Sequence, residues 1–169
     1  MTAREIALSL GANLGDRKAT FQWLVKRLET EPGITVTGKS PLYETDPVGV
    51  KPEYQHLAFL NAVVLLESAR ETNDLHQALL AIETEGGRLR EGDRYAPRSL
   101  DIDILYAGNE LRNDHLKLPH PQCRKRRFVL QPMSDLRPDL ILPGETRTVA
   151  ELLAALPDGE AVRRLEEAW

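Results

Sequence analysis

The stretch Ala58-Phe59-Leu60-Asn61-Ala62-Val63-Val64-Leu65-Leu66-Glu67 is apolar along almost its whole length. Its length and its β-branched and aromatic residues read as a strand. Successive side chains on a strand point to opposite faces. Phe59, Asn61, Val63 and Leu65 therefore share one face, and Leu60, Ala62, Val64 and Leu66 the other. A strand with one wet face alternates apolar and polar residues, whereas one that is apolar on both faces is covered on both and lies inside its sheet. Asn61 is the exception on an otherwise apolar face. A buried amide needs hydrogen-bond partners. Nearby backbone would satisfy it. So would the polar edge of a flat heterocycle, with Phe59 on the same face as a stacking surface.

Outward from this strand, residues 5–10 read as an earlier strand and residues 11–16 as a turn whose Asp16 caps a helix. Phe21, Leu24, Val25 and Leu28 recur at helical spacing until Pro32-Gly33 stops them. Gly11 and Gly15 read as turn glycines: they fit neither the dinucleotide fingerprint nor the P-loop, and no Lys-Ser/Thr follows. Residues 34–39 form a second strand, and residues 41–49 a loop with two prolines. Thr72 or Asn73 caps a second helix with Leu75, Ala78, Leu79 and Ile82 facing inward, and Gly86-Gly87 closes it. A strand over residues 99–106 leads into a hairpin turn at 106–110, and Thr148-Val149-Ala150-Glu151 is a capping box that opens a short last helix. Residues 135–143 read as irregular, and residues 157–169 carry no motif. The expectation is one domain over residues 1–169, with a core over about 5–156 and a tail over 157–169. Periodicity alone leaves the class open between α+β and α/β.

Chemistry concentrates in Arg94-Tyr95-Ala96-Pro97-Arg98-Ser99-Leu100-Asp101-Ile102-Asp103-Ile104-Leu105. On a strand, Asp101 and Asp103 share a face, about 6.6–6.8 Å apart along it. Leu100, Ile102 and Ile104 then point the other way, into a core. An Asp-x-Asp pair alone is often only a solvated face. Here the apolar alternate face and the preceding Arg-x-Ala-Pro-Arg argue for more. Close carboxylates repel unless protons or cations intervene. Mg²⁺ takes oxygen ligands and shares them with substrate phosphates, and a pair of such ions about 3.5–4 Å apart suits phosphoryl chemistry. Arg98 follows Pro97, which stiffens its loop, and an arginine fork beside a cation site suits a polyphosphate. The glycine-punctuated arginine loop over residues 87–95 has the composition of a mobile active-site cover. Glu83 falls in the last turn of its helix, where the dipole disfavours an anion unless a cation offsets it. His120 lies between two prolines beside a basic run, within reach of a phosphate or simply structural.

Composition bounds the function. The chain is 41% hydrophobic and 28% charged, as expected of a globular domain. Its apolar runs are far short of the about 20 residues a membrane span needs. The first residues lack the apolar core of a signal peptide. A single cysteine, Cys123, excludes an internal disulfide and a thiolate zinc site. These features lead to the expectation of a cytoplasmic protein. The net charge of −4 is uneven: residues 86–98 carry +2 and residues 120–127 carry +4, leaving −10 on the rest. An acidic body with two basic segments suits a focused anion site better than a nucleic-acid surface, and only 5% of residues are aromatic.

The segment over residues 94–105 closely resembles the signature of the 6-hydroxymethyl-7,8-dihydropterin pyrophosphokinase family, and the resemblance extends over about residues 6–143. It implies an α+β, ferredoxin-like sandwich with a mainly antiparallel four-stranded sheet and helices packed on one side. It implies transfer of pyrophosphate from MgATP to the hydroxymethyl group of dihydropterin, releasing AMP, in tetrahydrofolate biosynthesis. By match, Arg88, Arg98, Asp101 and Asp103 are the catalytic residues, with Asp101 and Asp103 holding two Mg²⁺ ions that arrive with ATP. Glu83, Arg90, Arg98, Ile104, His120 and Arg126 would bind ATP. Thr45, Asp46, Val48, Phe59, Asn61 and Phe128 would bind the pterin, with Phe59 and Phe128 on its two sides. The expected partners are the two substrates, with no nucleic acid or membrane, and the chain is expected to act as a monomer. Two other classes remain open from the residues alone: a non-catalytic ferredoxin-like ligand-binding module, and a nucleic-acid-binding domain that uses the Arg-rich segments.

Overall fold

A computed structural model of the chain describes residues 2–13, 15–46, 58–87, 100–159 and 161–169. The ten-residue apolar stretch forms strand β4 (Phe59–Ser68), and its two apolar faces have the predicted consequence. Strand β1 (Arg4–Ala12) pairs with one edge of β4, in antiparallel register from Arg4↔Ser68 to Ala12↔Leu60. The other edge is shared by β2 (Thr35–Lys39) and β3 (Tyr43–Thr45). Pro41, which has no N–H to give a ladder, lies between these two short strands. Ser40 bridges the gap: its N–H donates to the Val63 carbonyl and its Oγ accepts from the Val63 N–H, each at 2.9 Å.

Strand β5 (Asp101–Ala107) pairs antiparallel with the far edge of β1. Helix α1 (Arg17–Thr30) crosses from β1 to β2, and α2 (Thr72–Gly87) crosses from β4 to β5. Two β-α-β units thus interleave, β4 lying between β1 and β2, and β1 between β4 and β5. This is the ferredoxin-like arrangement. The sheet is wider than the expected four strands: it has six, because the second strand is split and β8 (Val162–Arg164) adds to β3. A separate hairpin joins β6 (Arg112–Asn113) to β7 (Lys117–Leu118).

Helices cover both faces of the sheet, not one. Leu8, Leu10, Leu60, Val64, Leu66 and Ile104 pack on Phe21, Leu24 and Leu28 of α1 and on Leu75, Leu79 and Ile82 of α2. The opposite face, with Ala7, Val63, Leu65 and Leu105, receives α3 (Arg127–Leu136) and α4 (Val149–Ala154). Helix α3 falls largely on residues that sequence patterning left unassigned. Pro132 lies inside it and removes one backbone bond. Burial of Val129, Leu130 and Met133 offsets that loss. Two predicted caps are present: Asp16 accepts from the Ala19 N–H at 3.0 Å, and Thr148 and Glu151 form the capping box of α4. The cap expected at Thr72 or Asn73 is not: both lie inside α2, the preceding Glu71 accepts from the Asp74 N–H at 3.1 Å, and Thr72 Oγ1 accepts from Arg4 instead.

Candidate active site

Register decides which side chains meet. Tyr43, Asn61, Gly11 and Asp101 are successive partners across β3, β4, β1 and β5, and Val63, Ser9 and Asp103 form the next row. Directly paired residues project from the same side of a sheet. The acids and the amide, singled out from separate parts of the sequence, therefore emerge on one face. That face is the α3 side, and the sheet here extends beyond the helix to border a cavity of about 460 Å³. Thr45, Asp46, Phe59, Asn61, Asp101, Asp103, Arg126 and Phe128 all line it. Ile102 and Ile104 point into the opposite core, as their alternation requires.

Asn61 is 4% exposed, and its amide nitrogen donates to Thr45 Oγ1 at 3.0 Å. The two predicted ring-binding side chains thus hold each other. An amide carries a second N–H and an acceptor oxygen, the complement of a heterocycle edge. Phe59 is half-buried on β4, and Phe128 is half-buried at the start of α3. The Arg126 guanidinium lies over the Phe128 ring, 4.6 Å from its centre, an arrangement that also fixes the direction of the ring. Deeper in the same face, Tyr43 donates to Asp135, and burial with this bond pushes its phenol up to about 12. Cys123 is buried, which pushes its thiol up to about 12, so it is no thiolate nucleophile.

A second cavity, of about 380 Å³, lies across β5 and includes Ile104, His120, His76 and Lys117 in its wall. Asp103 lines both cavities, so this residue stands at their junction. His120 opens the turn Pro121–Arg124, and its Nδ1 accepts from the Gln122 N–H at 3.1 Å. An accepting Nδ1 places the neutral ring's proton on Nε2, where it can meet an anion. Glu83 lines neither cavity. Its Oε2 accepts from the Ile102 N–H at 2.8 Å, which pins the start of β5 between the two acids. Arg88, Arg90, Arg98 and Val48 lie outside the described residues, as does the arginine loop over 88–95.

Among the described carboxylates that line the cavities, Asp101 and Asp103 are two residues apart on one strand face, an arrangement that could hold a cation. No group of three or more His, Cys, Asp or Glu among the described residues could cage a metal. Two carboxylates suit Mg²⁺, which binds to one or two of them and takes its remaining ligands from water and phosphates. Sequence reading missed Ser9, Gly11, Gly159 and Ala161, which also line the first cavity. Ser9 and Gly11 were detectable as the alternate residues of β1. Gly11 was assigned to a turn, but it is part of the strand. Gly159 and Ala161 belong to the tail and carried no signal.

The chain matches the model of the family described as 7,8-dihydro-6-hydroxymethylpterin-pyrophosphokinase (HPPK) over residues 7–138. Relatives named 2-amino-4-hydroxy-6-hydroxymethyldihydropteridine pyrophosphokinase include one from Methylorubrum extorquens, 40% identical over 94% of this chain and 97% of its own. Another, from Pseudomonas aeruginosa, is 40% identical over 96% of this chain and 97% of its own. Among solved structures, an HPPK-DHPS in complex with substrates superposes on 90% of this chain with a TM-score of 0.67 at 12% identity. Wild-type Plasmodium falciparum HPPK-DHPS with pteroate does so over 90% with a TM-score of 0.65 at 15% identity. This chain spans under half of each of those longer chains, at 45% and 42%, and at such identity the likeness concerns the fold alone.

Proposed function

Because this chain belongs to the 7,8-dihydro-6-hydroxymethylpterin-pyrophosphokinase family, we propose that it transfers pyrophosphate from ATP to 6-hydroxymethyl-7,8-dihydropterin in folate biosynthesis. One observation carries the reading best: Asp103 borders both cavities, beside a face on which Asn61 and Thr45 offer a heterocycle its polar partners. The first cavity is assigned to the pterin, between Phe59 and Phe128, with Asn61, Thr45 and Asp46 at its edge. The second is assigned to the nucleotide, with Ile104 against the base and His120 toward the phosphates; Arg126, in the wall of the first cavity, is assigned to the phosphates from that side. Glu83 serves the nucleotide side by holding Ile102 in the cavity wall. In this reading Val48 serves the pterin, Arg88 and Arg98 serve the transferred phosphates, and Arg90 serves the nucleotide.

The pterin hydroxyl attacks the β-phosphorus of ATP. The bond from the α,β-bridging oxygen to the β-phosphorus breaks, AMP leaves, and the alcohol proton passes to solvent. Asp101 and Asp103 would hold two Mg²⁺ ions; when bound, these supply charge neutralisation along the triphosphate and lower the pKa of the attacking alcohol. No strong protein base is assigned, because transfer of this kind depends on positioning and charge stabilisation. Arg88 and Arg98 would neutralise charge on the migrating group. In this reading the chain acts as a monomer. No described helix is long and apolar enough to cross a membrane.

The test is incubation with ATP, Mg²⁺ and 6-hydroxymethyl-7,8-dihydropterin, followed by nucleotide chromatography. AMP with the pterin diphosphate is the expected result. ADP would instead mean an ordinary kinase, and unchanged ATP a binding module; either outcome overturns the proposal.

A further inference from the structure

The family match ends at residue 138, so it assigns nothing to the tail. Yet the tail is sewn along the segment that carries Thr45 and Asp46. Strand β8 pairs with β3 through Thr45↔Val162, Glu44↔Arg163 and Tyr43↔Arg164. The Leu165 N–H donates to the Leu42 carbonyl at 2.9 Å, and Trp169 Nε1–H donates to the Ser40 carbonyl at 2.7 Å. The Trp169 ring packs on Phe21 at 5.7 Å between centres, with the Lys39 ammonium over it. At the other end of the tail, Gly159 and Ala161 line the first cavity.

Between these anchors stands Arg163. Its guanidinium reaches Glu44 at 3.4 Å and Asp46 at 3.2 Å, on either side of Thr45. Arg17 holds Glu44 from helix α1 at 2.8 Å. Strand β3 is three residues long. A strand that short has little stability of its own, and its outer edge is occupied by β8. The position of Thr45, and through it of the Asn61 amide, therefore depends on the tail.

We propose that Gly159 and Ala161 form a wall of the heterocycle cavity, with Ala161 setting its width and Arg163 acting as a positioning residue for Thr45 and Asp46. This rests on the reading of that cavity as the pterin site. A small residue at 161 leaves room for a flat ring, and a large one would fill the space the ring needs. Arg163 touches no substrate; it acts through the two acids it bridges.

The test uses the full chain and calorimetry with 6-hydroxymethyl-7,8-dihydropterin, in the presence of Mg²⁺ and a non-hydrolysable ATP analogue. Ala161→Phe is expected to weaken pterin binding about tenfold or more. Arg163→Glu is expected to weaken it about fivefold, while Arg163→Lys restores it to within about twofold. In steady state the KM for pterin rises, and kcat and the KM for ATP stay within about twofold. Circular dichroism melting of each variant checks the fold, and Arg163→Gln serves as the milder variant should Arg163→Glu melt early. Wild-type pterin affinity in both Ala161→Phe and Arg163→Glu overturns the inference alone. An equal loss of pterin and nucleotide affinity also overturns it, because that is a general structural effect. If the wild-type chain binds no pterin, the reading of the cavity falls and the inference falls with it.

Discussion

Asp103 and Asn61 test the proposed site from its two ends. Asp103 is exposed at the junction of the cavities, so neutralising it should leave the fold intact. On the proposed reading, Asp103→Asn lowers kcat about 100- to 1,000-fold with an unchanged Tm; near-normal turnover at saturating Mg²⁺ would remove the carboxylate from the mechanism. Asn61→Ala deletes the partner of Thr45 and the polar edge of the cavity together. It should weaken pterin binding about tenfold in calorimetry while affinity for a non-hydrolysable ATP analogue stays constant. At this scale the sequence was most readable where strand period fixed direction, as for Asp101, Asp103, Phe59 and Asn61. Glu83 was harder: nothing in the pattern revealed that its carboxylate would accept the Ile102 N–H. Gly11 resembled a turn because glycine is poor in strand interiors, and only pairing with both β4 and β5 showed it to be strand.

The elements are held by contacts that can be titrated. Glu31, at the end of α1, accepts from Arg70 at 2.6 Å and from Arg27 at 3.0 Å. Those arginines also reach Asp74 and Glu85 on α2, each at 2.8 Å. The hydrogen bond from Arg70, aided by Arg27, holds the Glu31 carboxyl below its usual value of 4.5 against the opposing effect of burial. A lowered folded-state pKa contributes stability above the unfolded value and loses it as pH falls through the folded value. Glu31→Gln should therefore cost about 1 kcal/mol at neutral pH. Urea titrations should show that difference shrinking toward zero as pH drops well below 4.5; a difference constant with pH would exclude the ionised carboxyl as its source. Helix α4 is six residues long and depends on its cap, so Thr148→Ala should cost about 1 kcal/mol in the same assay. Caps like this were legible because they are local. Helix α3 was not, since Pro132 argues against a helix and only the buried face of Val129, Leu130 and Met133 outweighs it. Strand β8 is short and half wet, so its pattern was too weak to read before its partner β3 was known.

At the scale of the molecule, one sheet separates two cores. The face toward α1 and α2 is closed. The face toward α3 and α4 is closed along part of its length and carries the cavity beyond. On the proposed reading, the chemistry lies on the face whose core is incomplete. Because no described cluster could cage a metal, the cation is expected to be no part of the folding energy. Chelation with EDTA should stop AMP release and leave Tm unchanged; a large fall in Tm would reveal a structural metal. The central place of β4 was legible because a strand apolar on both faces must lie inside a sheet; the fold class was not fixed by periodicity and came with the family resemblance. The extra strands were not legible either, since edge strands form only against an interior that already exists.

Gly11 sits between Asn61 and Asp101, and there the floor of the site is bare main chain. A methyl group at that point would come within 3.9 Å of Asn61 Oδ1, an ordinary approach that the fold could absorb. What the bare floor provides is headroom. On the proposed reading, the ring lies to one side of this spot and the triphosphate to the other, and the alcohol arm must reach across it. On that same reading, a side chain larger than a methyl at residue 11 would stand between the two substrates, leaving each docked while keeping the two apart.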